Sequence, residues 1–376
     1  MRVPPLRQAA AVALAVLVSA CSGPTGPQPA ELPRLDSEAR VREIWSASAG
    51  DADRFVFSPA LADGSVFAAA RDGTVMRLDV SRGRTLWSVN VDIPLSAGVG
   101  SDGTTVAVAN EEGEVVALDA QTGKKRWTAR VSSEVISPPA IGAGLVLVRS
   151  MDNRVFAFGT DDGKRRWIYQ RAPSALIIRS PSGIALDGDN AYAGFAGGKL
   201  TAIALANGGQ RWEVTVALPK GGTELERVTD VVGDPVLQGA EVCAAAYQGR
   251  VACYEAASGR QLWTREVSSL TGVSLDARYA FVSDDKGAVQ AFDRTNGRSL
   301  WKQDKLSYRQ LSRPQPIGDL VAVGDFEGYV HFLDRETGAF VARFKTDGSP
   351  VRAAPKLIPG GLLVETQGGA LYALSP

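Results

Sequence analysis

Histidine and cysteine are scarce in this chain: its 376 residues include one histidine, His331, and three cysteines. With one histidine, neither a His-based catalytic set nor a multi-histidine metal site can be assembled, and His331, in the apolar stretch His331-Phe332-Leu333, reads as a neutral strand residue. No phosphate-binding glycine loop followed by Lys-Ser or Lys-Thr occurs, and no Gly-x-Ser-x-Gly elbow. An excess charge of either sign is also missing, since 41 basic residues balance 41 acidic ones. Loss of residues 1–20, which hold Arg2 and Arg7 and no acid, leaves 39 basic against 41 acidic side chains. A nearly neutral surface argues against nucleic acid or anionic lipid as a partner. Beyond the N-terminus no stretch is long and apolar enough to span a bilayer, which takes about 20 residues.

The N-terminus itself reads as an export signal. Arg2 and Arg7 form a positive region, Ala9 to Val18 is unbroken apolar chain, and Val18-Ser19-Ala20-Cys21 has the small residues and cysteine of a bacterial lipobox. Residues 1–20 are therefore expected to be a lipoprotein signal peptide, with Cys21 as the lipidated mature N-terminus. Ser22 stands where sorted lipoproteins with an aspartate stay behind, which points to the outer membrane, periplasmic face. Residues 21–40 carry Pro24, Pro27, Pro29 and Pro33 among polar and small residues, so a lipidated flexible tether is expected there.

The remainder, 41–376, is built from one repeat: a turn glycine, alternating apolar residues, a polar turn ending in glycine, then tryptophan four residues later. Its clearest copies run from Asp72-Gly73 through Leu78-Asp79 to Gly83 and Trp87, and from Glu112-Gly113 through Leu118-Asp119 to Gly123 and Trp127. All seven tryptophans belong to the pattern, at successive spacings of 42, 40, 40, 45, 51 and 38 residues. That period suits four short antiparallel strands per blade. Turn positions Gly73, Gly113, Asn153, Gly198, Gly249, Gly287, Gly328 and Gly369 predict eight blades. The seventh copy has Ala342 where tryptophan is expected. The eighth stops at Pro376 before a final strand, and Val41-Arg42-Glu43-Ile44-Trp45 supplies that strand from the other end of the chain. The predicted fold is an all-β, eight-bladed β-propeller of four-stranded antiparallel blades, its ring closed by the N-terminal strand joining the last blade. The repeated tryptophan is expected to fill the wedge between blades.

Two local features leave little chemistry. Asp187-Gly188-Asp189-Asn190 resembles the start of a calcium loop, but the twelfth position lacks glutamate and no helices flank it, so it reads as a β-turn. Cys243 and Cys253 flank a turn in blade five. A two-residue loop would set the sulfurs on opposite faces and a three-residue loop directly opposite, which leaves both a disulfide and two buried thiols open.

The tryptophan repeats resemble the pyrroloquinoline-quinone-type propellers. With the lipobox, Glu224-Leu225-Glu226-Arg227-Val228-Thr229-Asp230-Val231, Val323-Gly324-Asp325-Phe326-Glu327-Gly328-Tyr329-Val330-His331 and the Leu311-to-Pro314 stretch, the chain is similar over its full length to the BamB family of outer-membrane lipoproteins. The resemblance implies a non-catalytic scaffold without cofactor, binding the periplasmic POTRA domains of BamA, with unfolded outer-membrane proteins as further candidate partners, and acting as a monomer within a larger complex. The family's contact residues fall here on Leu176, Ile178, Arg179 and Asp230, with Val232 replacing a second acidic position. The two longest tryptophan spacings contain these same segments, as expected for functional loops on a propeller face. The competing readings are a quinoprotein dehydrogenase, disfavoured because adjacent cysteines to stack the quinone are missing, and a glycan-binding propeller.

Overall fold

Each repeat becomes one antiparallel sheet because short Val- and Ala-rich runs alternate with turns that tolerate positive φ. In a computed structural model, which describes residues 26–35, 41–172 and 176–376, the chain forms eight four-stranded sheets. Blade one comprises Ala60–Ala62, Ser65–Ala69, Thr74–Asp79 and Thr85–Asn90 from the innermost strand outward. Blade eight takes Lys356–Ile358, Gly361–Glu365 and Ala370–Ser375 from the C-terminus and Arg42–Ser48 as its outermost strand. The two ends pair antiparallel, Arg42 opposite Ser375 and Ser48 opposite Ala370, so the predicted closure is the one observed. Cys21 lies outside the described residues, as do Ser174 and Ala175 of the contact loop.

The tryptophans join blades rather than fill them. Every indole donates its Nε1–H to a backbone carbonyl of the next blade, as in Trp45 to Val80 and Trp127 to Thr160. The glycine of the next repeat lies flat on the indole: a Cβ on Gly163 would come within 2.6 Å of the Trp127 ring. Glycine and tryptophan recur together because each glycine receives the tryptophan of the blade before. This explains Ala342. The turn that would receive a blade-seven tryptophan joins the third and fourth strands of a blade, and in blade eight those strands are opposite ends of the chain.

Of the eight turn positions, all but Gly249 have positive φ; in blade five Gln248 takes it instead. The loop there is three residues long, Cys243 pairs directly with Cys253, and the two form a disulfide with both residues fully buried. Asp187 pairs with Asn190 around a tight turn. The core is a series of apolar clusters between neighbouring blades, each combining alternate residues of two sheets.

Candidate partner-binding face

Strand direction alternates within a blade, so the turn between second and third strands and the crossing from an outermost strand to the next innermost strand emerge on one face. The long tryptophan spacings put their extra residues into two of these crossings, after Arg165–Gln170 and after Gln210–Thr215. On this loop face Leu176 is 44% and Ile177 37% exposed, while Ile178 is half-buried. Arg179, whose side chain is 51% exposed, forms ion pairs with Glu134 and, at 3.3 Å, with Glu111.

These contacts belong to a larger cluster. Glu111 also binds Arg54 and, at 2.9 Å, Arg71. The guanidinium carbons of Arg54, Arg71 and Arg179 lie 5.0, 4.8 and 5.8 Å from the ring centre of Phe55. Desolvation works against ionisation of Glu111, but its hydrogen bonds and charge interactions with Arg54 and Arg71 outweigh it and hold the carboxyl below its ordinary pKa. Arg179 is thus presented at the rim of a preordered set of charges.

Asp230 has a different environment from the one expected for a contact residue. It is 6% exposed, and its carboxylate accepts the backbone N–H of Ile178 at 2.6 Å and of Gly197 at 3.1 Å. Burial pushes its pKa up, while those two donors and the nearby Arg149 pull it back. Burial likewise lowers Arg149 to about 10, with Asp230 opposing. Leu176, Ile178 and Arg179 are therefore brought together by Asp230 from beneath. Val232, at the second acidic position, is 1% exposed in the sheet.

The second long crossing adds residues that the sequence reading passed over. Leu218 and Leu225 are 61% and 74% exposed. Leu225 stands on a turn in which the Glu226 carboxylate accepts the N–H groups of Gly222 and Thr223, and Thr223 Oγ1 accepts the N–H of Glu226. This reciprocal pattern is a capping box, legible in the spacing Thr223-x-x-Glu226. Leu270 and Tyr308, both more than 40% exposed, continue the apolar set over the next crossings.

A central channel of about 1100 Å³ opens among these loops. Its wall does not fit pyrroloquinoline quinone with calcium. Among the described residues no group of three or more His, Cys, Asp or Glu side chains could hold a cation, and the two described cysteines are sealed inside blade five.

Eight four-stranded blades, joined through seven interblade tryptophans, define a propeller of the pyrroloquinoline-quinone type with an apolar and charged loop face. A family model described as outer membrane protein assembly factor BamB matches residues 71–303. The chain is 42% identical over 370 residues to the BamB of Burkholderia pseudomallei, covering 97% of each chain. It is 45% identical over 372 residues to that of Pseudomonas aeruginosa, covering 98% of each. The crystal structure of BamB from Moraxella catarrhalis superposes with a TM-score of 0.82 at 27% identity, covering 90% of this chain and 100% of that one. The chain belongs to the BamB family of outer membrane protein assembly factors. A quinohemoprotein alcohol dehydrogenase of Comamonas testosteroni, at 12% identity and a TM-score of 0.70, shares the fold alone.

Proposed function

We propose that this chain is a non-catalytic scaffold of the outer-membrane β-barrel assembly complex, anchored by a lipid on Cys21, that holds the POTRA domains of BamA against its loop face. The observation that carries this reading is the loop Leu176 to Arg179, where exposed apolar side chains flank an exposed arginine on a backbone fixed from below by Asp230. A patch of exposed apolar residues beside a preordered guanidinium is the composition of an interface hot spot. Leu176, Ile177 and Arg179 make the contact. Ile178 and Asp230 shape the loop, so Asp230 is a positioning residue. Relatives named as outer-membrane assembly factors support the location at the periplasmic face of that membrane.

The test is a paired measurement on Arg179→Glu, thermal unfolding and affinity for the isolated POTRA domains. Unchanged melting with weakened binding supports the assignment. Unchanged affinity with lowered melting would show that the loop is architecture only.

A further inference from the structure

Residues 26–35 run along the propeller, and their polar contacts converge on blade seven. The N–H of Ala30 donates to the carbonyl of Ser307 at 2.9 Å, and the Ala30 carbonyl accepts from Arg309 at 3.1 Å. Three residues on, the Pro33 carbonyl accepts from Arg343 at 3.0 Å. Between them Leu32 is half-buried against the cluster that contains Trp301, Leu306 and Leu311.

The arginines that hold the segment are held in turn. Arg309 is 3% exposed; its Nε donates to Asp325 at 2.7 Å, and a terminal nitrogen pairs with Glu327. Asp325, fully buried, also lies 3.0 Å from His331 Nε2, and Arg343 Nε donates to His331 Nδ1 at 3.2 Å. An acceptor at Nδ1 places the imidazole proton on Nε2, facing Asp325. Two donors of this network, one from Arg309 and one from Arg343, are spent on that segment's carbonyls.

The position of the segment matters as much as its fixation. Ser307 and Arg309 lie on the crossing between blades six and seven, on the loop face, and Pro27 lines the channel mouth together with Tyr308 and Arg179. Pro27 therefore stands on the face that carries Leu176 to Arg179, one residue from where the described segment begins. Four residues, and so five Cα–Cα steps, separate Cys21 from Gly26, a reach of at most about 18 Å, whereas from Cys21 to Val41 it would be about 70 Å.

We propose that residues 26–35 are a strap that turns the loop face toward the lipid surface, so that the contact loop is held close to the bilayer and a bound protein sits between propeller and membrane. The strap converts a lipid anchor, which by itself fixes only distance, into one that fixes orientation. This inference rests on acylation of Cys21.

The test uses the full acylated chain in phosphatidylcholine vesicles containing a headgroup quencher. A fluorophore is placed in one variant on the loop face, Lys286→Cys, and in another on the opposite face, Asp319→Cys; both sites are exposed. The expected result is a large loss of fluorescence at position 286 and little at 319. Replacing Leu32 by Asp together with Arg343→Ala should make the two labels lose fluorescence equally while melting of the ring is retained; Leu32→Ala serves as the milder variant if that pair does not fold. Equal quenching of both labels in the unaltered strap, or stronger quenching at 319, overturns the orientation. A chain that stays unacylated and off the vesicles overturns the anchor, and the orientation with it.

Discussion

The backbone N–H of Ile178 and Oδ2 of Asp230 meet at 2.6 Å across 52 residues of sequence, linking the two long crossings of the loop face. One carboxylate thus sets the shape of a loop whose exposed side chains all come from elsewhere. Asp230→Ala removes the acceptor for two N–H groups and is expected to cost about 1–3 kcal/mol in thermal unfolding. Binding of the POTRA domains should weaken in the same variant, and Asp230→Asn, which keeps one acceptor oxygen, should recover part of both.

Arg179→Glu should behave in the opposite way. The side chain is half exposed and its ion pairs are surface pairs, so stability should change by no more than about 1 kcal/mol. Affinity for the POTRA domains, read by titration calorimetry, should fall by about 2 kcal/mol or more. Its new carboxylate would also stand beside Glu111 and Glu134, which turns the rim from balanced to acidic.

The interblade role of tryptophan makes one substitution destabilising that the repeat pattern alone would favour. Trp127→Ala should cost about 3–5 kcal/mol, through the cavity and the lost bond to Thr160. Ala342→Trp restores the repeat consensus, yet it should destabilise by about 1–3 kcal/mol, because Ala342 is 1% exposed and no receiving turn exists in blade eight. Melting temperatures of the two variants decide the point; stabilisation by Ala342→Trp would refute the account of why that tryptophan is missing.

Glu365 gives the ring a pH dependence. Burial drives its carboxyl to about 8, with the charge of Lys356 opposing, and among the described residues its Oε2 is buried with no hydrogen-bond partner. Its folded pKa exceeds the unfolded value of 4.5, so its contribution to stability is complete below about pH 4.5 and is lost as pH rises toward 8. Glu365→Gln should flatten that decline and raise stability by roughly 1–3 kcal/mol near neutral pH. His331 acts in the other direction: burial lowers its pKa, so protonation on acidification below about 6.5 favours the unfolded chain.

The disulfide is expected to be inert to reagents in the folded state, since Cys243 and Cys253 are both fully buried. Thiol labelling under reducing, native conditions should detect neither cysteine. Replacing both by alanine should cost about 2–4 kcal/mol in denaturant unfolding.

The architecture was legible because it is periodic. Seven tryptophans and their glycines mark blades even where strand sequences diverge, and the truncated eighth repeat announces its partner at residues 41–45. What the repeat could not disclose is which blade a side chain serves: Gly163 and Trp127 belong to consecutive copies, and only the ring brings them into contact. The resemblance singled out Leu176, Ile178 and Arg179, and the structure places all three on one loop, with Leu176 and Arg179 exposed and Ile178 half-buried. The burial of Asp230 was not legible, because convergence of Ile178 and Gly197 on one carboxylate leaves no local signal. Glu111 and Glu134 lie in turns of other blades, where an acid is unremarkable until Arg179 arrives from a distant part of the chain.

The pairing of Arg42–Ser48 with Ala370–Ser375 also imposes an order in time. Among the described residues, the strand nearest the N-terminus has its one sheet partner near the other end of the chain, so closure waits until that end is made. Through that interval blade eight has an unpaired strand and the ring two open edges, the kind of surface that other chains can pair with. The most exposed moment in the folding of this chain is thus its last one, and a loss of a few C-terminal residues would make that moment permanent.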